Sequence, residues 1–208
     1  MICNCKKIDF IKFKDLSYWE DKTITSDENK ILNFLKKKKL VNKNILHIGI
    51  GNSELAKKLS NNNHIDGITI SSQEIKLAKK LNFKFYKVFL IDKHNSVINK
   101  KLKKKYDFII DNNLKSYSCC KKNFNFYFLC LSKLLKKNGM IITSKKGMSW
   151  YKKLGVKKSF KIKKLFFNKI KELEGSKENI LTIEECENLS SIHFLKIRIS
   201  NNLVFFKK

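Results

Sequence analysis

Two groups of residues in the 208-residue sequence have the types and spacing that ligand binding or group transfer would use. Gly49 and Gly51 stand one residue apart at the end of the apolar run in N-I-L-H-I-G-I-G-N-S-E. Glycine lets the backbone turn and lets a ligand approach where a Cβ atom would intrude, although a plain tight turn is the alternative. Asp111-Asn112-Asn113 follows a second apolar run, Y-D-F-I-I, and such short polar side chains are costly to bury unless something binds them. Asp111 is the best candidate for positioning or deprotonating an acceptor, the alternative being that it caps the next segment.

Strand-like and helical patterns alternate along the chain and predict how these residues are brought together. Apolar strand-like runs occupy 45–50, 64–70, 83–91, 106–111 and 140–144. Helical patterns occupy 27–40, 52–59, 72–81, 97–104 and 124–136, the last stopped by Asn138-Gly139. Strands separated by helices of this length predict an α/β fold with a parallel sheet covered on both faces. Such open sheets bind ligands at the carboxyl ends of their strands.

The end of the chain departs from this alternation. A helical pattern at 182–189 precedes two strand-like runs, 192–199 and 203–206. Only Ser200-Asn201-Asn202 joins the two runs, which is too short for a parallel crossover. The sequence therefore predicts that the sheet ends in an antiparallel hairpin.

These motifs, in this order, resemble the class I S-adenosylmethionine-dependent methyltransferases over roughly residues 27–208. The resemblance lies in I-L-H-I-G-I-G-N-S, in G-I-T-I-S-S-Q-E, and in Y-D-F-I-I-D-N-N-L with the later strand K-K-N-G-M-I-I-T. It implies a three-layer Rossmann-like sandwich whose mostly parallel seven-stranded sheet has the order 3-2-1-4-5-7-6. Residues 1–25 would be an amino-terminal extension or lid, 26–208 a single methyltransferase-like domain, and 145–178 an insertion on the substrate side.

The resemblance also implies S-adenosylmethionine as cofactor and a set of residues that bind it. These are His47, Gly49, Gly51, Asn52 and Ser53 after the first strand, Thr69, Ile70, Ser71 and Gln73 after the second, and Asp92 after the third. Ser53 and Glu54 stand where a dinucleotide fingerprint has its third glycine, which disfavours a pyrophosphate-bearing cofactor. Asp92 would receive the adenine amino group, unless it is an ordinary loop carboxylate paired with lysine.

Two of these positions depart from the family pattern. His47 stands where relatives usually carry an aspartate, and Thr69 stands where an acidic residue commonly holds the ribose hydroxyls. Our hypothesis is that Thr69 and Gln73 take the place of the acidic residue that commonly holds the ribose hydroxyls after the second strand, with Ser71 or Glu74 as alternatives. A neutral hydroxyl would hold a diol less strongly than a carboxylate, by about 1 kcal/mol.

The implied chemistry is in-line displacement, in which the sulfonium already activates the methyl group. Asp111 and Asn112 are the candidate catalytic residues. The candidate acceptor-binding residues are Asn113, the aromatic pair Tyr18 and Trp19, and the pair Trp150 and Tyr151 among lysines. Ordinary packing of an accessory helix is the alternative for the second pair.

Composition limits what the high charge of the chain can mean. The net charge is +28, yet of 46 basic residues only Arg198 is an arginine, and there is no proline. This pattern is typical of an AT-rich genome, and arginine is the side chain best suited to phosphate and base contacts. We therefore expect a small-molecule acceptor, and an anionic one would suit the positive charge of the chain. An RNA methyltransferase and a non-catalytic homologue that binds S-adenosylmethionine or a nucleoside are the alternatives.

The cysteines and the hydropathy pattern complete these expectations. The six cysteines show no repeated pair spacing, so neither a disulfide framework nor a metal site is expected. No apolar run approaches the roughly 18 to 20 residues that a membrane span needs, and no secretory signal precedes the first charged residues. The expected location is the cytoplasm.

Overall fold

The computed structural model describes residues 24–94, 97–116, 118, 120–145 and 180–208. The helices in these ranges are α1 (Ser26–Lys37), α2 (Glu54–Leu59), α3 (Ser72–Lys80), α4 (Val97–Lys101), α5 (Lys121–Leu134) and α6 (Ile183–Ile192). The strands are β1 (Asn44–Ile48), β2 (His64–Thr69), β3 (Tyr86–Leu90), β4 (Tyr106–Asp111), β5 (Leu135–Ser144), β6 (Lys196–Ser200) and β7 (Leu203–Lys207).

All seven strands form one sheet with the order β3-β2-β1-β4-β5-β7-β6. The first five strands are parallel, and β7 pairs antiparallel with both β5 and β6. The predicted strand order and terminal hairpin are therefore confirmed. In the register of the sheet, Ile48 lies opposite Ile68 on one side and Asp111 on the other. The turn after β1, the end of β2 and Asp111 consequently meet at one edge.

Successive side chains of the central strand β1 point to opposite faces of the sheet and pack into two different apolar layers. Leu46 and Ile48 belong to the cluster that also contains buried residues of α5 and α6, whereas Ile45 packs with buried residues of α1 and α2. Full burial of each such side chain contributes about 1.5 to 3 kcal/mol. Since both faces are covered, the carboxyl end of β1 is held firmly, and the glycine turn starts from a fixed point.

Several element boundaries differ from the prediction. Asn138-Gly139 does not end α5, because β5 begins at Leu135, immediately after that helix. The positive φ of Asn138, 65°, instead accommodates a shift in the pairing of β4 with β5 between Tyr106 and Phe108. The signal for a special backbone conformation was correct, but its place in the fold was wrong.

Two other strands start later than predicted. The backbone N–H of Tyr86 donates to the carbonyl of Phe83, which closes a turn before β3. Ile192 is the last residue of α6 and not part of a strand, and Phe194 then turns the chain with a φ of 52° before β6. Apolar runs alone do not separate the end of a helix from the start of a strand.

Candidate functional site

The glycine turn after β1 has the conformation that its sequence predicts. Gly49 has φ of 75° and Gly51 has φ of 52°, values that side chains rarely adopt. The N–H of Gly49 donates to the Ile68 carbonyl at 2.8 Å, so the turn is tied to β2. A Cβ atom added to Gly49 would meet no heavy atom of the described residues within 4 Å. Its backbone conformation, rather than crowding by other residues, therefore requires glycine, and open space lies beside it.

The residues that follow the turn begin α2. Asn52 Oδ1 accepts from the backbone N–H of Glu54 at 3.3 Å. Ser53, at φ of 63°, is buried, and its hydroxyl lies 2.9 Å from the hydroxyl of Tyr86. Burial raises the pKa of Tyr86 to about 12, so this phenol stays neutral. The Ser53 hydroxyl thus already has a partner within the protein, and the predicted cofactor contact of Ser53 would come from its backbone.

His47 is buried in β1 and faces α1. Its Nε2 lies 3.8 Å from Oε1 of Glu28, which is too long for a hydrogen bond but close enough for charge interaction. Its Nδ1 is buried without a hydrogen-bond partner among the described residues. Burial lowers the pKa of His47, while the carboxylates of Glu28 and Asp111 oppose that shift. A neutral imidazole therefore occupies the position at which the resemblance implies an aspartate.

Glu28 brings a carboxylate to the same place from a different element. It is the third helical residue of α1 in a capping box: its Oε2 accepts from the N–H of Thr25 at 3.1 Å, and the Thr25 hydroxyl caps α1. The side chain is buried, and the cap holds it in place. The helix therefore begins at Ser26, one residue before the predicted pattern at 27–40. The pattern T-S-D-E contained the signal, but nothing in it placed Glu28 beside His47.

A second carboxylate stands at the end of β2. The Thr69 hydroxyl donates to Oε2 of Glu74 at 2.6 Å and accepts from the N–H of Ser71 at 3.1 Å. Ser71 caps α3 by accepting from the N–H of Glu74 at 3.3 Å. The first turn of α3 therefore holds the Glu74 carboxylate against Thr69. Of the alternatives considered for this edge, Glu74 contacts Thr69 through its side chain, Ser71 contacts Thr69 through its backbone N–H, and Ile70 joins Thr69 to the cap.

Asp92 and its neighbours follow β3. Asp92 Oδ1 accepts from the N–H of His94 at 2.9 Å. Burial raises the pKa of Asp92, and this hydrogen bond and the charge of Lys93 partly oppose the shift. His94 itself is buried, with Nε2 2.8 Å from the Ser116 carbonyl.

Asp111, at the end of β4, is fully engaged by other residues. Its Oδ2 accepts from Lys93 Nζ at 2.9 Å and from the Tyr127 hydroxyl at 2.7 Å, and its Oδ1 accepts from the N–H of Asn113 at 2.9 Å. Lys93 also donates to the carbonyls of Asn113 and Leu114. Burial lowers the pKa of Lys93, and Asp111 counteracts this. These contacts favour the alternative that Asp111 caps and positions the following loop over a role in deprotonation.

The two asparagines after Asp111 have unused acceptors. Asn112 Oδ1 and Asn113 Oδ1 are both buried and have no hydrogen-bond partner among the described residues. Buried polar atoms are usually paired, so these two oxygens are exceptions within the described ranges. The other predicted acceptor-binding residues, Tyr18, Trp19, Trp150 and Tyr151, lie outside the described residues, as do most of the predicted extension and insertion.

Sequence reasoning missed Lys93 altogether. One lysine among 46 basic residues gives no signal that it is the one buried against a carboxylate.

Two surface depressions of the described ranges lie away from this edge, one along α3 and β3 and the other between α5 and α6. In the same ranges no three acidic, histidine or cysteine side chains are grouped as a metal ion would need. No helix there is both long and apolar enough to cross a membrane.

No protein-family model matches the chain, and no curated protein sequence does either. Solved structures do resemble it. The plantazolicin methyltransferase BamL, in complex with a triazolic desmethyl-plantazolicin analogue and S-adenosylhomocysteine, superposes with a TM-score of 0.62 at 20% identity over 89% of this chain and 71% of BamL. The chain has the class I methyltransferase fold.

Two further structures cover nearly the whole of both chains. The magnesium protoporphyrin IX methyltransferase ChlM from Synechocystis PCC 6803 has a TM-score of 0.60 and 14% identity over 92% of this chain and 91% of ChlM. The N-methyltransferase NodS from Bradyrhizobium japonicum WM9 has a TM-score of 0.59 and 12% identity over 92% of this chain and 90% of NodS. Both were crystallised with bound S-adenosylhomocysteine.

Proposed function

We propose that this chain binds S-adenosylmethionine across the carboxyl ends of β1 and β2 and transfers its methyl group to a small-molecule acceptor. The class I methyltransferase fold supports this proposal, as does the occurrence of S-adenosylhomocysteine, the demethylated product, in BamL, ChlM and NodS. The open space beside Gly49 lies at the edge where open parallel sheets bind ligands.

The observation that carries the proposal concerns the two departures from the family motifs. At each of them a carboxylate from a different element stands beside the neutral residue: Glu28 beside His47, and Glu74 beside Thr69. An ammonium group near β1 and ribose hydroxyls near β2 would therefore still meet negative charge. The two carboxylates would thus supply the negative charge that the residues of the two sequence motifs themselves lack.

The remaining residues of the edge have roles that follow from their contacts. The bound cofactor supplies the activated methyl group. The glycine turn leaves room for the ligand, and Glu74, with Thr69 and Ser71, would accept hydrogen bonds from the ribose. Asp92 would accept one from the adenine amino group. Asp111 holds the loop 112–114 through its bond to the Asn113 N–H and through Lys93, and so positions whatever binds there.

Isothermal titration calorimetry with S-adenosylmethionine tests this assignment. Glu74→Gln removes the charge but keeps the shape, and we expect the affinity to fall about 5- to 10-fold, as when a charge-assisted hydrogen bond becomes a neutral one. Thr69→Val, which releases Glu74 from its partner, should weaken binding by a similar factor. Glu187→Gln, an exposed change on α6, is the matched control and should have no effect.

The proposal fails if the folded wild-type protein does not bind S-adenosylmethionine. It also fails if Glu74→Gln and Thr69→Val both bind it as tightly as the wild type does. The latter result would mean that the residues at the end of β2 do not bind the cofactor.

A second candidate function is a non-catalytic protein that binds S-adenosylmethionine or a nucleoside. The engagement of Asp111 by Lys93 and Tyr127 favours it, because the candidate catalytic carboxylate is then not available as a base. Methyl transfer does not always need a base, so product formation decides between the two. Tight binding of S-adenosylmethionine with no methylated product from any acceptor would favour the second.

A further inference from the structure

The lateral edge of the sheet at β3 has backbone groups that face away from β2. β3 is the first strand in the sheet order, and among the described residues it pairs with β2 alone. At its two ends the carbonyl of Phe85 and the N–H of Ile91 bond to backbone groups of β2. Since successive residues of a strand face alternate sides, the N–H and carbonyl groups of Tyr86, Val88 and Leu90 face away from β2. They form an open row to which a further strand can add.

A groove lies beside this row. It has a volume of about 370 Å³ and is formed between α3 and β3. Tyr86 and Val88 line it together with Ala78 of α3 and Phe83 from the connection between the two elements. Tyr86 and Val88 are two residues apart, so their side chains point to the same face of the sheet. A chain that extends the sheet beyond β3 therefore places every second side chain beside a largely apolar groove.

The surface around this groove is positively charged. Lys79 and Lys87 line the groove, and none of the described residues that line it is acidic. Between Glu74 and Asp92 the sequence contains lysines but no acidic residue. The depression between α5 and α6 is different, because two glutamates and one lysine line it. The lateral edge at β3 thus favours a negatively charged partner.

Two other kinds of partner fit this edge poorly. A second copy of the chain would bring the same lysines to the opposite strand, and like charges across two strands destabilise their pairing. Lysine on an exposed edge strand is a common means of preventing such self-association. A nucleic acid brings negative charge, but it has no N–H and carbonyl groups at the spacing of a strand. An extended acidic polypeptide offers both the charge and the backbone groups.

We propose that the lateral edge at β3 binds an extended acidic segment of a partner protein as an additional strand. The backbone of the segment pairs with the outward groups of β3, and every second side chain enters the groove. Its acidic side chains lie near Lys79 and Lys87. This binding surface does not depend on the proposed methyl transfer, so either can fail without the other.

Fluorescence anisotropy with a labelled synthetic peptide tests the strand pairing in the full-length protein. The parent peptide alternates glutamate with valine and spans the five residues of β3. Two further peptides carry N-methyl groups either on all glutamate amides or on all valine amides. Only one set of alternate amides faces β3, so one methylated peptide should bind like the parent and the other about 10-fold more weakly. Equal affinity of the two methylated peptides overturns the proposal, and so does absence of binding by the parent.

Charge variants locate the peptide on the protein. The double variant Lys79→Gln with Lys87→Gln should weaken binding of the parent peptide about 5-fold, because it removes two charges beside the groove. Lys196→Gln with Lys207→Gln is the matched control, since it removes two exposed charges from the hairpin at the other end of the sheet. The control should change the affinity less than twofold. An equal loss in both double variants would mean that net charge attracts the peptide, and it overturns the proposal.

Labelled oligouridylate tests the nucleic-acid alternative with the same proteins. Any binding to a chain of this charge should involve many lysines, so the two double variants should affect it equally. A loss of oligouridylate affinity that is confined to Lys79→Gln with Lys87→Gln would assign the groove to nucleic acid, and it overturns the proposal.

Discussion

Lys93→Met is the perturbation that most directly tests how the edge of the sheet is held together. The substitution keeps an unbranched side chain but leaves Asp111 as a buried carboxylate without its cation. In the wild type Lys93 Nζ lies 2.9 Å from Asp111 Oδ2, and the two side chains are 10% and 1% exposed. Breaking such a pair from one side costs about 3 kcal/mol, which in a chain of this size lowers Tm by roughly 6 to 12 °C.

The destabilisation caused by Lys93→Met should depend on pH and on the charge of Asp111. Burial lowers the pKa of Lys93, so by linkage the wild type gains stability as the pH rises towards the ordinary lysine value of 10.5, a gain that the methionine variant lacks. The difference from wild type in urea unfolding should therefore be smaller at pH 7 than at pH 10. Asp111→Asn in the Lys93→Met background removes the stranded charge and keeps an acceptor for Tyr127, so about 2 kcal/mol should be recovered as coupling energy.

Three results would refute this account of Lys93. A free energy of unfolding within about 0.5 kcal/mol of wild type would place the pair among weak surface ion pairs. The same destabilisation at both pH values would remove the charge explanation. A double variant no more stable than Lys93→Met would show that Lys93 acts through packing alone.

Two further predictions concern the strands beside this edge. Gly67→Ala should lower the free energy of unfolding by about 2 kcal/mol, measured in urea, because its Cβ would lie 2.7 Å from Ile50 Cγ2; stability equal to wild type would mean that β2 can shift. His47→Asp alone should be destabilising, because it sets a second buried carboxylate beside Glu28, whereas His47→Asp with Glu28→Gln should keep the calorimetric affinity for S-adenosylmethionine. Loss of binding in the folded double variant would contradict the exchange of roles between these two positions.

Local patterns in the sequence were sufficient to predict the order of the elements. The parallel strands, the glycine turn and the terminal hairpin follow from periodicity and from the short connection at Ser200-Asn201-Asn202. In the hairpin Asn201 and Asn202 both have positive φ, as a tight two-residue turn requires. The boundary at Asn138-Gly139 was wrong because the same residue pair serves a helix end and an irregular strand equally well.

The residues of the candidate site likewise fall into those that the sequence could place and those that only the structure could place. Gly49, Gly51, Thr69 and Asp111 could be placed at one edge from the sequence, because the carboxyl ends of parallel strands lie at the same edge of a sheet. Glu28 and Glu74 could not be assigned from the sequence. Each comes from a helix, and which strand residue it meets depends on how that helix packs on the sheet.

What the sequence by itself determined is therefore the fold class and the edge of the sheet at which the candidate site lies, since both follow from periodicity and from backbone preferences of single residues. Only the tertiary structure decided where the charges lie. Lys93 and Asp111 are 18 residues apart and come together across the loops after β3 and β4. Burial makes this one lysine different from the many solvated ones, and burial is a property of the folded chain rather than of the residue type.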